Sequence, residues 1–188
     1  MKSAESILLP IQAAQQKHDL LAHKDILSLN AHTLLKHMIL HFLKYSGKMA
    51  EANHTKNSAL FSATLIDTII ICFATANALN LSLGKHITER SFGLSELCKK
   101  LGENEDNVAN VWGAYALVTI AGRMAKSIES TDHLEKGNPR IELEFLIVEL
   151  TKKMLGVAGM FDIDLENEII KRWGAVEAKS IFSNLAVA

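Results

Sequence analysis

Residues 59–79 form an apolar run that constrains the fold more than any other part of the sequence. The run is long enough to cross a membrane as a helix, but Asp67 lies near its centre, and an ionised carboxylate is costly in lipid. Trp and Tyr, which are common at membrane interfaces, lie near neither end. We therefore expect residues 59–79 to form a buried helix of a bundle, and we expect no membrane partner.

The rest of the chain also carries a helical pattern. Leu34, Met38 and Phe42 illustrate the spacing, because apolar residues recur at intervals that place them on one helix face. The sequence has 48% apolar residues and only 2 Pro and 10 Gly, which excludes disorder and low-complexity structure. No useful stretch alternates apolar and polar residues. The sequence predicts an all-α helical bundle that forms a single domain over residues 1–188.

The same pattern places the individual helices. Pro10 is expected to interrupt the first helix, Asn57 and Ser58 to cap the third, and Asp162 or Asp164 to cap the last. The predicted helices span about residues 4–21, 34–50, 59–80, 95–101, 106–130, 141–161 and 165–182.

Two segments of the first half recur in the second half. Residues 47–52 (GKMAEA) match residues 122–127 (GRMAKS) at an offset of 75, and residues 76–83 (ANALNLSL) match residues 158–165 (AGMFDIDL) at an offset of 82. The different offsets fit a longer connection in the second half. We therefore predict an internal duplication of a helix pair. Its two units are residues 30–93 and 105–182.

Three helical segments are similar to those of a known enzyme family. Residues 43–52 (LKYSGKMAEA), 67–81 (DTIIICFATANALNL) and 162–173 (DIDLENEIIKRW) resemble the first metal-binding helix, the second metal-binding helix and the following helix of the all-α nucleotide pyrophosphohydrolases, the MazG-like superfamily. The resemblance covers roughly residues 30–180. It implies a helical bundle that binds Mg²⁺ or Mn²⁺ and acts on nucleoside triphosphates.

The metal-binding positions of that family are mostly altered in this chain. The family holds Mg²⁺ with a Glu-x-x-Glu pair and a Glu-x-x-Asp pair, because Mg²⁺ prefers oxygen ligands. The corresponding residues here are Tyr45 and Lys48, then Thr64 and Asp67. The second half also keeps one carboxylate, Glu149. The resemblance therefore implies a diverged protein or pseudoenzyme that binds a phosphate-bearing ligand and has weak or lost hydrolase activity.

A basic stripe lies on the first of these helices. His37, His41, Lys44 and Lys48 are spaced i, i+4, i+7 and i+11, so they share one helix face. If the helices pack as in the family, Lys48 approaches Asp67. This leaves two interpretations open, a structural ion pair or a cationic surface that binds phosphate without Mg²⁺.

The histidines permit other roles for the same face. His37 and His41 can bind one metal ion, with Asp67 or His32 as the third ligand, and such a donor set suits Zn²⁺, Mn²⁺ or Fe. If the protein is a hydrolase, Asp67 holds the ion or the water and His41 is the candidate general base. The remaining histidines are predicted to be polar surface or loop residues; these are His18, His23, His54, His86 and His133.

Several other classes of function are excluded. The net charge is −1, and the helix-turn-helix-like segment 94–112 continues into acidic residues where DNA phosphates would have to bind, so we expect no nucleic-acid partner. Cys72 lies in the apolar run and Cys98 has no base near it in sequence, so neither is predicted to be a nucleophile. Two cysteines are too few for a disulfide scaffold, which favours a reducing, cytoplasmic location.

Two hypotheses of different class remain. In the first, His37, Lys44 and Lys48 bind a nucleotide or another phosphate-bearing small molecule. In the second, the chain is a non-catalytic helical module for dimerisation or protein interaction. Residues 112–122 are too apolar for an exposed face, so they form either a central helix or a subunit interface. We expect a homo-oligomer, and the sequence does not identify a substrate.

Overall fold

The computed structural model describes residues 1–103, 109–133 and 135–179. The described parts contain eight α-helices, which confirms the predicted all-α helical bundle. The helices are α1 Ala4–Ala22, α2 Lys24–Leu27, α3 Ala31–His54, α4 Ser58–Ala78, α5 Leu94–Gly102, α6 Ala109–Asp132, α7 Pro139–Met160 and α8 Leu165–Glu177. Two very short strands, β1 Lys2–Ser3 and β2 Arg90–Ser91, pair antiparallel and were not predicted.

Two helix hairpins form the centre of the bundle. The α3–α4 hairpin packs on the α6–α7 hairpin through contacts of α3 with α6 and of α4 with α7. The remaining helices cover this centre, with α1 and α8 on α4 and α5 on α7. Large apolar side chains fill the space between the helices; the fully buried ones include Phe42, Leu65, Phe73, Leu117, Leu146 and Ile147.

The apolar run is helix α4, and it lies in the core. By length and composition alone this helix could cross a membrane, but 67% of its most apolar window is buried inside the protein. Phe61, Ile69 and Phe73 are almost fully buried. Packing against the surrounding helices therefore accounts for the apolar sequence.

Both segments of the second matching pair contain the same helix-ending turn, which the chain also uses at Lys56 after α3. Asn80 and Asp162, at the offset of 82, both have positive φ, of 54° and 51°. After each of them, an amide donates to the carbonyl five residues earlier, from Leu81 and from Ile163. This is the Schellman arrangement that ends many helices. The internal duplication itself stays a prediction, and residues 105–108 of its second unit lie outside the described residues.

Some predicted boundaries are confirmed and others are corrected. Asn57 and Asp164 cap α4 and α8 with their side-chain oxygens, as predicted. Pro10 does not interrupt α1, because it lies on the exposed face, where water can reach the Ser6 carbonyl that loses its helical bond. The predicted start of a helix at residue 106 and the predicted end at residue 182 lie outside the described residues.

Candidate functional site

A cavity of about 420 Å³ collects most of the ionisable residues that the sequence singled out. It lies between α1, α2, α3, α4 and α8, and we call it the histidine cavity. Its titratable lining residues are His18, Asp19, His23, Asp25, His37, His41, Lys44, Tyr45, Asp67 and Arg172. Of the predicted site residues, His37, His41, Lys44 and Asp67 are therefore brought together, whereas Lys48 is exposed and lies outside the lining.

Three of the predicted site residues contact one another on the α3 wall of the cavity. The rings of His37 and His41 lie 4.7 Å apart, and Lys44 Nζ lies 3.3 Å from His41 Nδ1. Burial lowers the pKa of His41 to about 4, and the neighbouring Lys44 and His37 act in the same direction. His41 is thus neutral at pH 7, and its Nδ1 accepts the hydrogen bond that Lys44 donates.

Asp67 is held by an arginine that the sequence did not suggest. Arg172 on α8 donates from Nε to Asp67 Oδ1 at 2.5 Å and from Nη2 to Oδ2 at 3.2 Å. Of the two interpretations left open for Lys48, the structure therefore does not support an ion pair with Asp67, which Arg172 holds instead. The physical reason is that α8 packs across α4 and presents a planar guanidinium, which matches a carboxylate better than an ammonium does.

The α1 wall contributes residues that were predicted to lie on the surface. His18 is only 5% exposed, and its neighbour Asp19 is 6% exposed. His23, just after the end of α1, is half-buried, and its ring lies edge-on to that of His18 at 5.7 Å. The surface interpretation of His18 is wrong because α8 covers this end of α1 with Trp173, whose ring stacks on His18.

Hydrogen bonds fix the buried groups of this wall. His18 Nδ1 donates to Glu177 Oε1 at 2.8 Å, and Asp19 Oδ1 accepts from Gln15 Nε2 at 2.8 Å. Gln15 in turn accepts from Trp173 Nε1 at 2.7 Å. Burial raises the pKa of Asp19, while the Gln15 bond and the nearby His23 and His18 partly oppose the shift.

The residues of this wall were not predicted to belong to a site, although the sequence carries a local signal. The motif His18-Asp19-x-x-x-His23 places two imidazoles and a carboxylate at one helix end. Only the structure shows that Arg172 and Trp173 close the cavity, because they are distant in sequence from the residues that they contact.

The predicted metal ligands are only partly brought together. His32 lies outside the cavity lining, and its Nε2 contacts Thr131 Oγ1 at 2.7 Å. Both carboxylate oxygens of Asp67 are engaged by Arg172. A metal role for His37, His41 and Asp67 stays a prediction.

The two cysteines have the character of core residues. Burial raises the pKa of Cys72 and of Cys98 to about 12. The adjacent Lys99 and Lys100 do not offset this burial at Cys98. Both thiols are therefore protonated at neutral pH, in agreement with the prediction that neither is a nucleophile.

Acidification is expected to destabilise the protein through His41. Its folded-state pKa of about 4 lies below the ordinary value of 6.5, so the unfolded chain takes up this proton first. The stability that neutral His41 contributes is present above pH 6.5 and is lost as the pH falls toward 4. We expect a loss of about 1 kcal/mol between pH 7.5 and 5, since the half-buried ring is partly screened by water.

This pH effect is measured by urea unfolding at both pH values. His41→Gln should reduce the pH dependence, whereas His54→Gln, at an exposed position of the same helix outside the cavity, should leave it unchanged. An equal pH dependence in wild type and His41→Gln would contradict the assignment.

Comparisons with protein-family models, with curated proteins and with solved structures found no match for this chain. The resemblance to the MazG-like pyrophosphohydrolases therefore stays a prediction based on three short segments.

Proposed function

We propose that this protein binds a small phosphate-bearing molecule, such as a nucleotide, in the histidine cavity. The anionic group would lie at the end formed by His41, Lys44 and Arg172. The observation that carries the proposal is the positive charge of Lys44 at this end, since His41 is neutral and Asp67 balances the charge of Arg172. Among the described residues, no carboxylate forms an ion pair with Lys44, and its ammonium instead contacts the imidazole of His41 and the ring of Tyr45.

Burial is the main cause of the lowered pKa values of Lys44 and His41; neighbouring positive charges add to it, and Asp67 opposes it. Burial lowers the pKa of Lys44, and the nearby Lys48 lowers it further. The same positive field disfavours a proton on His41. A bound phosphate would neutralise the field and accept hydrogen bonds from Lys44 and from His41.

Arg172 is positioned to take part in such binding. Asp67 occupies its Nε and one Nη2 hydrogen and so fixes the plane of the guanidinium. A guanidinium has five N–H donors, so donors remain for a phosphate oxygen. Asp67 acts in this arrangement as a positioning residue for Arg172.

The same geometry favours binding over efficient hydrolysis. His41 is neutral and can accept a proton, but a pKa of about 4 makes it a weak general base at pH 7. Each Asp67 oxygen accepts a hydrogen bond from Arg172, whose positive charge opposes the binding of a metal ion in the way the family resemblance implies. We therefore propose phosphate-ligand binding with weak or lost hydrolase activity.

Calorimetric titration with inorganic phosphate, ATP and dATP tests this proposal. We expect binding by at least one of them, and Lys44→Met is expected to weaken it by about tenfold to a hundredfold, as for the loss of a charged hydrogen bond. Lys48→Met removes the same charge one turn away, outside the cavity, and is expected to change the affinity by no more than about threefold. Pyrophosphate release from nucleoside triphosphates with Mg²⁺ or Mn²⁺ should be weak or absent.

Two results would contradict the proposal. One is the absence of binding by all three ligands to the folded protein. The other is an equal loss in Lys44→Met and Lys48→Met, because this would indicate an unspecific charge effect rather than contact in the cavity.

A second candidate function is a helical interaction module. Three apolar side chains on one face of α6 are largely exposed, namely Val111, Tyr115 and Val118 at 58%, 68% and 48%. Contiguous exposed apolar residues are typical of protein interfaces. A folded protein that binds no phosphate ligand would favour this function, with a second copy of the chain as the expected partner.

A further inference from the structure

We propose that His18, Asp19 and His23 form a binding site for a divalent transition-metal ion of the Zn²⁺ class. One ligand atom from each of these residues lies within 4.8 Å of the others, and all three residues line the histidine cavity. Two imidazoles and one carboxylate are donors that Zn²⁺ takes in proteins. The site lies on the α1 wall, whereas the basic stripe is on α3.

The end of helix α1 brings the three donors together. His18 and Asp19 lie near its C-terminal end, and the helix ends at Ala22. His23 leaves the helix with φ −135°, while its amide still donates to the Asp19 carbonyl. This bend places the His23 ring beside the His18 ring, whereas a continued helix would have turned the two side chains to different faces.

The hydrogen bonds around His18 leave one nitrogen available for a metal. Because a carboxylate accepts, the 2.8 Å contact fixes a proton on His18 Nδ1, donated to Glu177. In the neutral ring, Nε2 then keeps its lone pair. A carboxylate behind an imidazole is the arrangement that orients many histidine ligands and raises their basicity.

Hydrogen bonds also orient the Asp19 carboxylate and leave one of its oxygens available. Gln15 donates to Oδ1 and is itself held by Trp173, which leaves Oδ2 as the oxygen available for coordination. A carboxylate buried to this extent is costly without a nearby positive charge.

The donor set selects the class of metal. Imidazole favours Zn²⁺, Co²⁺ and Ni²⁺ over Mg²⁺ and Ca²⁺, which prefer oxygen ligands. Three protein donors leave at least one position of a tetrahedral ion open, as in catalytic zinc sites. That position would take a water or, if the proposed function holds, an oxygen of the phosphate-bearing ligand.

Titration of the metal-free protein with Co²⁺ and Zn²⁺ alone tests the site. Co²⁺ binding is followed by its visible absorption, and Zn²⁺ binding by calorimetry. We expect one ion per chain, and His23→Gln is expected to weaken binding at least tenfold. His54→Gln removes an imidazole from an exposed position outside the cavity and should change the affinity by no more than about twofold.

Asp19→Asn provides a second variant, since it keeps the shape and the bond from Gln15 but removes the charge. It should also weaken binding at least tenfold, and thermal unfolding confirms that each variant is folded. Added Zn²⁺ should raise the unfolding temperature of the wild type and of His54→Gln, but not that of His23→Gln.

The proposal is overturned if the folded wild type binds neither metal. It is also overturned if His54→Gln abolishes binding while His23→Gln does not. Because no phosphate is present, these titrations are independent of the proposed function. Metal binding without nucleotide binding would retain the metal site and reject the proposed function. Nucleotide binding without metal binding would retain the proposed function and reject the metal site.

Discussion

Replacement of Gly159 by alanine is expected to lower the free energy of unfolding by roughly 3 kcal/mol. A Cβ at this position would lie 2.3 Å from the backbone carbonyl carbon and oxygen of Cys98, on the facing helix α5. Backbone atoms cannot swing aside as the end of a flexible side chain can. The added methyl group therefore has to push α5 away from α7.

The backbones of α5 and α7 lie close together at two further points. Gly156 lies against the carbonyl oxygen of Leu101, and Gly102 lies against the carbonyl oxygen of Gly156, each at 2.8 Å from the position a Cβ would take. Glycines thus allow α5 and α7 to approach more closely than side chains permit. Displacement of α5 at one of these points would also loosen the others.

Urea unfolding followed by circular dichroism measures the effect. The matched control is Gly122→Ala on α6, because a Cβ there would meet no atom within 4 Å. Alanine favours the helix and restricts the unfolded chain, so this control is expected to gain about 0.5–1 kcal/mol. Destabilisation of both variants, or of neither, would contradict the assigned role of Gly159.

The helices of this bundle were predictable because their signals are local. The apolar spacing around Leu34 and Met38, and the cap at Asn57, depend only on nearby residues. The contact of α5 with α7 was not predictable in this way. It depends on glycines far apart in the chain, and a glycine in a sequence does not reveal which backbone it faces.

The residues of the candidate site were likewise predictable only where the signal is local. Helical spacing placed His37, His41 and Lys44 on one face, and the structure shows all three in the cavity. The partner of Asp67 was not predicted correctly, because Arg172 is 105 positions away and approaches only through the packing of α8. The burial of His18 likewise follows from long-range packing.

Replacement of Gln12 by leucine is expected to destabilise the protein by about 3 kcal/mol, although leucine has a similar volume. Gln12 on α1 is only 2% exposed. Its Nε2 donates to Asn77 Oδ1 at 3.1 Å and to the Leu81 carbonyl at 2.9 Å, and its Oε1 accepts from the Leu83 amide at 3.0 Å. Leucine would leave these partners without a hydrogen bond, and an unsatisfied buried polar group costs about 1–3 kcal/mol.

Urea unfolding gives the change in stability, and amide hydrogen exchange at Leu83 locates it. Gln16→Leu is the matched control one turn along α1, because the half-buried Gln16 side chain makes no hydrogen bond within the described part of the chain. We expect this control to change stability by less than about 0.5 kcal/mol. Equal stability of the two variants would show that water replaces the bonds of Gln12. A loss confined to Gln12→Leu, with faster exchange at Leu83, would show that this side chain fixes α1 on the end of α4 and on the segment that follows it.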